Sequence, residues 1–188
     1  MPVSGVGGGV GVELGGFSGL DWATPAQAVG VLAFVFGVLC FAQRDERRFI
    51  VYMALECAAY ALHFALLGQP VATASTLLSL ARSLAALRWR WRSVGLGFVA
   101  AHLAAGAWLY SGPISLLPVV SACLGTTALF FLRGLAMRLV MLVGTLLWVV
   151  HNVMVGSIGG TLLEVVLAVT NGITVWRLWR ARVRPEGA

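Results

Sequence analysis

An all-α membrane protein with seven transmembrane helices is what this chain predicts, and three observations carry that reading. Hydrophobic residues fill 60% of the 188 positions and charged residues only 11%, with a mean hydropathy of +0.92. A soluble domain of this size buries roughly 70% of its unfolded surface and covers the rest with polar groups, which are too few here. Apolar runs near the ~20 residues that span a bilayer recur along the chain. The arginines collect in alternate connections between those runs. Together these exclude a disordered chain, a disulfide scaffold and an ordinary soluble enzyme.

The elements follow in order. Residues 1–24 hold eight glycines and no lysine or arginine. They lack the basic start and long apolar run of a secretory signal, and read as a flexible extramembrane tail. Their GVGGGVG stretch has no strand before it and no helix after it, so it is not a phosphate-binding loop. Predicted helices then run over 26–43, 48–67, 70–88, 94–110, 114–132, 136–155 and 158–179. The breaks are Arg44 to Arg48, Gly68-Gln69-Pro70, Arg88 to Arg92, Ser111-Gly112-Pro113, Arg133-Gly134 and Gly156-Ser157. Connections this short make consecutive helices antiparallel neighbours.

All 13 basic residues are arginine. The first connection holds Arg44, Arg47 and Arg48, the third Arg88, Arg90 and Arg92, and the fifth Arg133 and Arg138. The C-terminal end holds Arg177, Arg180, Arg182 and Arg184. The other connections and the N-terminal tail hold none. Positive residues stay inside, so the N-terminus is expected outside and the C-terminus in the cytoplasm. Trp89, Trp91, Trp176 and Trp179 fall at the same predicted interface. The net charge of +6 is thus an orientation signal and not a nucleic-acid one, and the arginine clusters are expected to meet anionic lipid headgroups. Cys40, Cys57 and Cys123 lie in apolar runs without a C-x-x-C spacing and read as small buried hydrophobes. No metal or cofactor site is expected.

A shift of 88 positions brings rare residues into register. Pro25 meets Pro113, Gly37 meets Gly125, His63 meets His151, Gly68 meets Gly156, Thr73 meets Thr161, and Trp91-Arg92 meets Trp179-Arg180. The expected architecture is therefore a 3+1+3 parallel repeat. A first triple-helix unit covers 25–92, a Gly- and Ala-rich linker helix 93–111, a second unit 112–180, and a cytoplasmic tail 181–188.

Ionisable residues inside a membrane are costly and face the bundle interior. Glu56, Tyr60 and His63 share one face of the second helix, and Arg82 lies in the third. Glu56 and Arg82 stand equally far from the turn at residue 69, so a pair between them is expected. His151 and Glu164 flank the turn near 157 in the same way. Trp148 and Asn152 border His151, and Asn171 shares a face with Glu164. Two readings of these nine residues stay open. They form a substrate or proton site between the two units, or the pairs are clasps that hold helix register. Catalysis is not expected, since H-E-x-x-H, G-x-S-x-G and an intramembrane Asp pair are all missing.

The stretch Arg44-Asp45-Glu46-Arg47-Arg48-Phe49, the run HFALLG at 63–68, Arg82 and the block at 134–180 resemble the YgjV family of bacterial inner-membrane proteins. The resemblance runs from about residue 25 onward. It implies a multi-pass protein of the inner membrane and carries no activity. The topology is more distantly similar to SWEET and PQ-loop transporters, and that likeness implies a small-molecule carrier. Gln43 is present from their Pro-Gln signature, but Ala42 stands in place of Pro, and Phe130-Phe131 replace both in the second half. Asn171-Gly172 looks like the substrate-site Asn of those sugar carriers. At the matching place in the third helix stands Ser83, beside an Arg82 that suits an anionic or amphipathic substrate better than a sugar. The alternative expectation is a non-transporting scaffold or lipid-interacting protein. A monomer or a homo-oligomer fits either.

Overall fold

A computed structural model describes residues 24–42 and 46–183. The expected N-terminal tail before Thr24, Gln43 with the Arg44-Asp45 step of the first charged connection, and the expected tail beyond Val183 lie outside the described residues. Among those described, the regular structure is helical throughout. The helices are α1 (Pro25–Ala42), α2 (Glu46–Leu66), α3 (Pro70–Arg88), α4 (Arg92–Trp108), α5 (Leu116–Phe131), α6 (Gly134–Met154) and α7 (Ile158–Val183), with a 3₁₀ turn at Pro113–Ser115 leading into α5. The expected boundaries fall close to these, except that α7 continues to Val183. At 1.5 Å per residue the 21 residues of α6 reach about 31 Å, the thickness of a bilayer's hydrocarbon core. Pro70–Arg88, Pro113–Phe131, Gly134–Met154 and Ile158–Val183 are long and apolar enough to cross it; Pro25–Cys40 and Val51–Leu66 are shorter apolar stretches.

Local chemistry sets the ends. Thr24 caps α1: its Oγ1 accepts from Gln27 N at 3.3 Å and its carbonyl from Ala28 N at 3.1 Å. Pro25 and Pro70 open α1 and α3, where a missing N–H costs nothing. The α2–α3 and α6–α7 turns are built alike. Gly68 and Gly156 adopt φ of 67° and 70°, a backbone that a side chain would strain. Gln69 N donates to Phe64 O and Ser157 N to Asn152 O, both at 2.8 Å. Thr73 and Thr161 then each return a hydroxyl to the carbonyl four residues back.

Helices α1, α2, α3, α5, α6 and α7 pack in that order, and α7 returns to α1, so the six form a ring. Helix α4 lies outside it, on the seam between α3 and α5. Helices in lipid gain little from hydrophobic burial and associate through close packing of small residues. At the α1–α7 seam, a Cβ on Gly159 would overlap the Gly30 carbonyl, and Gly37 lies under Leu163. At the α3–α5 seam, Gly125 lies under the Arg82 guanidinium. Gly95 and Gly106 of α4 lie under Phe130 and Val119 of α5.

The ring has two unlike ends. One carries Arg88, Arg90, Arg92, Arg133 and the last turns of α7. There Arg90 Nη2 donates to Leu129 O at 3.2 Å, and Arg180 sits 4.1 Å from the Trp176 ring centroid, a cation–π contact. The other end carries Gln27, Gly68, Leu109 and Gly156 and, among the described residues, no arginine.

Candidate functional site

At the arginine-poor end the ring interior is filled by side chains from α2, α6 and α7. Tyr60, His63 and Phe64 recur along one face of α2, and Trp148, His151 and Asn152 along one face of α6. The Phe64 ring stacks on Trp148 at 5.4 Å between centroids and meets the edge of His151 at 5.5 Å. Asn152 Nδ2 donates to Tyr60 Oη at 2.7 Å. Gly160 leaves room for that pair, since a Cβ there would meet Tyr60, Asn152 and Ser157 together.

His63 is fully buried and ties three elements together. Its Nδ1 lies 2.7 Å from Ala26 O, and a carbonyl only accepts, so Nδ1 carries a proton. Its Nε2 lies 2.7 Å from Ser157 Oγ, which also accepts from Gly160 N. Gln27 completes the closure: its Nε2 donates to Gly156 O at 2.6 Å and its Oε1 accepts from Ile158 N at 3.2 Å. One end of the bundle is thereby tied together by hydrogen bonds between α1, α2 and the α6–α7 turn, beside a cavity of about 420 Å³ between the start of α3 and Leu109. In hydrocarbon each such bond contributes about 0.6 kcal/mol, up to roughly 2.

Six of the nine sequence candidates therefore gather here: Tyr60, His63, Trp148, His151, Asn152 and Glu164. Glu164, one turn beyond Gly160, is 7% exposed and within electrostatic reach of Tyr60 and Glu56. Glu56 is half-buried, accepts from Cys57 Sγ at 3.1 Å, and packs its Cγ by Gly37. The Asn152 Oδ1 and both His151 ring nitrogens are buried without a hydrogen-bond partner.

Two expected pairs do not form. Arg82 does not meet Glu56: its Nη1 donates to Ala122 O at 3.2 Å and Thr126 Oγ1 at 3.1 Å on α5. The distance from the turn sets height only. Helix rotation turns Glu56 toward α1 and α7, and Arg82 toward α5. His151 does not meet Glu164 either; its ring packs between Phe64 and Trp148. Asn171 stands apart from the cluster as well. Its Nδ2 donates to Arg138 O at 2.9 Å, and its Oδ1 is buried without a partner. It borders a cavity of about 220 Å³ lined by Arg138, Met141, Thr145, Leu167, Thr170, Asn171 and Thr174.

Sequence reasoning passed over Gln27, Ser157 and His102. His102 of α4 is fully buried with both ring nitrogens unpartnered. The signal was its spacing: Gly95, His102 and Gly106 lie on one helical face and are the buried residues of α4. Among the described residues no group of three or more His, Cys, Asp or Glu could hold a metal ion.

A ring of apolar helices around a buried polar and aromatic core defines a multi-pass membrane protein. The family model for Imp-YgjV, described as a bacterial inner membrane protein, matches residues 24–182. The chain is also 42% identical over 159 residues to the inner membrane protein YgjV of Escherichia coli (strain K12), covering 85% of this chain and 87% of that one. The chain belongs to the Imp-YgjV family and is an inner-membrane protein. No solved structure matches it.

Proposed function

We propose that this chain is a small-molecule carrier of the inner membrane, built from two triple-helix units joined by α4, with the arginine-rich end in the cytoplasm. One observation carries the reading. The hydrogen bonds that close the ring across α1, α2 and the α6–α7 turn sit at the arginine-poor end, whereas a mainly apolar cavity bordered by Arg138 and Asn171 lies toward the arginine-rich end. A bundle tied together at one end, with a cavity between α6 and α7 nearer the other, fits one of the two states a carrier alternates between. The matched turns at Gly68 and Gly156, and a ring closed by two seams between the units, support the repeat. Bulk at the core comes from Tyr60, Phe64 and Trp148, and carrier movement would separate those rings.

A second reading, a non-transporting scaffold, draws support from the same rings, which fill the interior at the tied end. Counterflow in proteoliposomes separates the two. Saturable flux of a small organic acid or polyol, lost when α1 is cross-linked to α7, supports the carrier; no flux across a broad panel supports the scaffold.

A further inference from the structure

The cavity between α6 and α7 has a chemistry that selects its occupant. Its only ionic lining group is Arg138, and no acidic residue lines it. Thr170 and Thr174 spend their hydroxyl protons on Val166 O and Thr170 O, so they face the cavity as acceptors. Asn171 spends Nδ2 on Arg138 O, which leaves Oδ1 as a buried acceptor with no donor. Exchanging the amide oxygen and nitrogen would set two acceptors against each other, so the hydrogen bond fixes this orientation. The wall thus offers one cationic fork, three neutral acceptors and the hydroxyl of Thr145, which can donate or accept. Leu167 and Met141 close the rest. A volume of about 220 Å³ holds roughly seven waters, which suits a ligand of a few carbons.

We propose that this cavity binds a small hydroxylated acid, a carboxylate or phosphate monoester whose acid group meets Arg138 and whose hydroxyls donate to Asn171 Oδ1 and the Thr170 and Thr174 oxygens. The guanidinium matches a carboxylate or phosphate with two parallel N–H donors. A plain anion would leave the Asn171 acceptor orphaned, and a neutral polyol would leave Arg138 without a counter-charge. The headgroup of phosphatidylglycerol carries the same phosphate-and-hydroxyl chemistry. The proposal names the substrate class for the carrier reading and rests on it for its consequence, but binding is measured apart from flux.

The test uses the full-length protein in nanodiscs of neutral lipid, titrated with glycerate and glycerol 3-phosphate and, as controls, propionate and glycerol. Glycerate or glycerol 3-phosphate should bind at least tenfold more tightly than propionate or glycerol, about 1.4 kcal/mol. Arg138→Gln should weaken the acids at least tenfold with unchanged melting temperature, and Asn171→Leu, which also gives up the hydrogen bond to Arg138 O, should remove their advantage over propionate at the cost of a small drop in melting temperature. Thr174→Val, a milder change, should weaken binding by a smaller factor and guards against misfolding of the other two. If the soluble acids do not bind, but phosphatidylglycerol co-purifies with wild type and not with Arg138→Gln, the lipid is the occupant and the site's chemistry stands. No binding of either below about 10 mM, or binding indifferent to Arg138→Gln and Asn171→Leu, overturns the proposal. Binding without flux would refute the carrier reading and leave the site intact.

Discussion

His63 Nε2 and Ser157 Oγ, 94 residues apart in the chain, meet at 2.7 Å in a fully buried position. With His63 Nδ1 on Ala26 O, the ring acts as a rivet through α1, α2 and the α6–α7 turn. His63→Leu keeps the bulk and deletes both bonds, leaving Ser157 to seek another partner. Stability in detergent should fall by about 1–2 kcal/mol, read by thermal melting, while Leu62→Ala on the exposed face of α2 should change it little.

The α1–α7 seam depends on the absence of a side chain. Gly159→Ala would drive a methyl into the Gly30 backbone, and backbone yields less readily than a rotamer. Overpacking of this kind costs about 1–3 kcal/mol, so the variant should accumulate poorly or melt early. Gly97→Ala and Gly172→Ala have open space around the added methyl and should express and melt like the parent.

Tyr60→Phe removes the acceptor that Asn152 Nδ2 uses and leaves a buried amide donor unsatisfied. The expected loss is about 1 kcal/mol. Adding Asn152→Leu to Tyr60→Phe should recover part of it, because both polar partners are then gone; melting of the two single variants and the double variant checks this.

Glu56 and Arg82 should behave independently. Arg82 bonds to α5, and Glu56 to its neighbour Cys57. A double-mutant cycle with Glu56→Gln and Arg82→Gln should give a coupling energy within about 0.5 kcal/mol of zero. A coupling of several kcal/mol would mean that the two charges pair in the bilayer.

The apolar runs marked the helices because the bilayer length and the arginine breaks leave little freedom in where they start and stop. The grouping of Tyr60 with His63, and of Trp148 with His151 and Asn152, was legible from helical periodicity. Partners across helices were not. Counting from a turn fixes depth, but azimuth follows from packing at Gly30, Gly37 and Gly159, which no local pattern encodes. His102 escaped notice because a lone His in an Ala- and Gly-rich helix carries no pairing signal of its own. Gln27 and Ser157 are single polar residues at helix ends, where capping is the ordinary expectation.

Side-specific cysteine labelling tests most directly the claim that the bundle is tied together at the arginine-poor end and its interior reached from the other. With Cys40, Cys57 and Cys123 replaced, Thr174→Cys and Asn152→Cys are exposed to a membrane-impermeant maleimide from each side. Thr174→Cys should label in inverted vesicles and stay silent in spheroplasts, and Asn152→Cys should stay silent in both. Labelling of Asn152→Cys from the periplasmic side, or no labelling of Thr174→Cys from the cytoplasmic side, would contradict it.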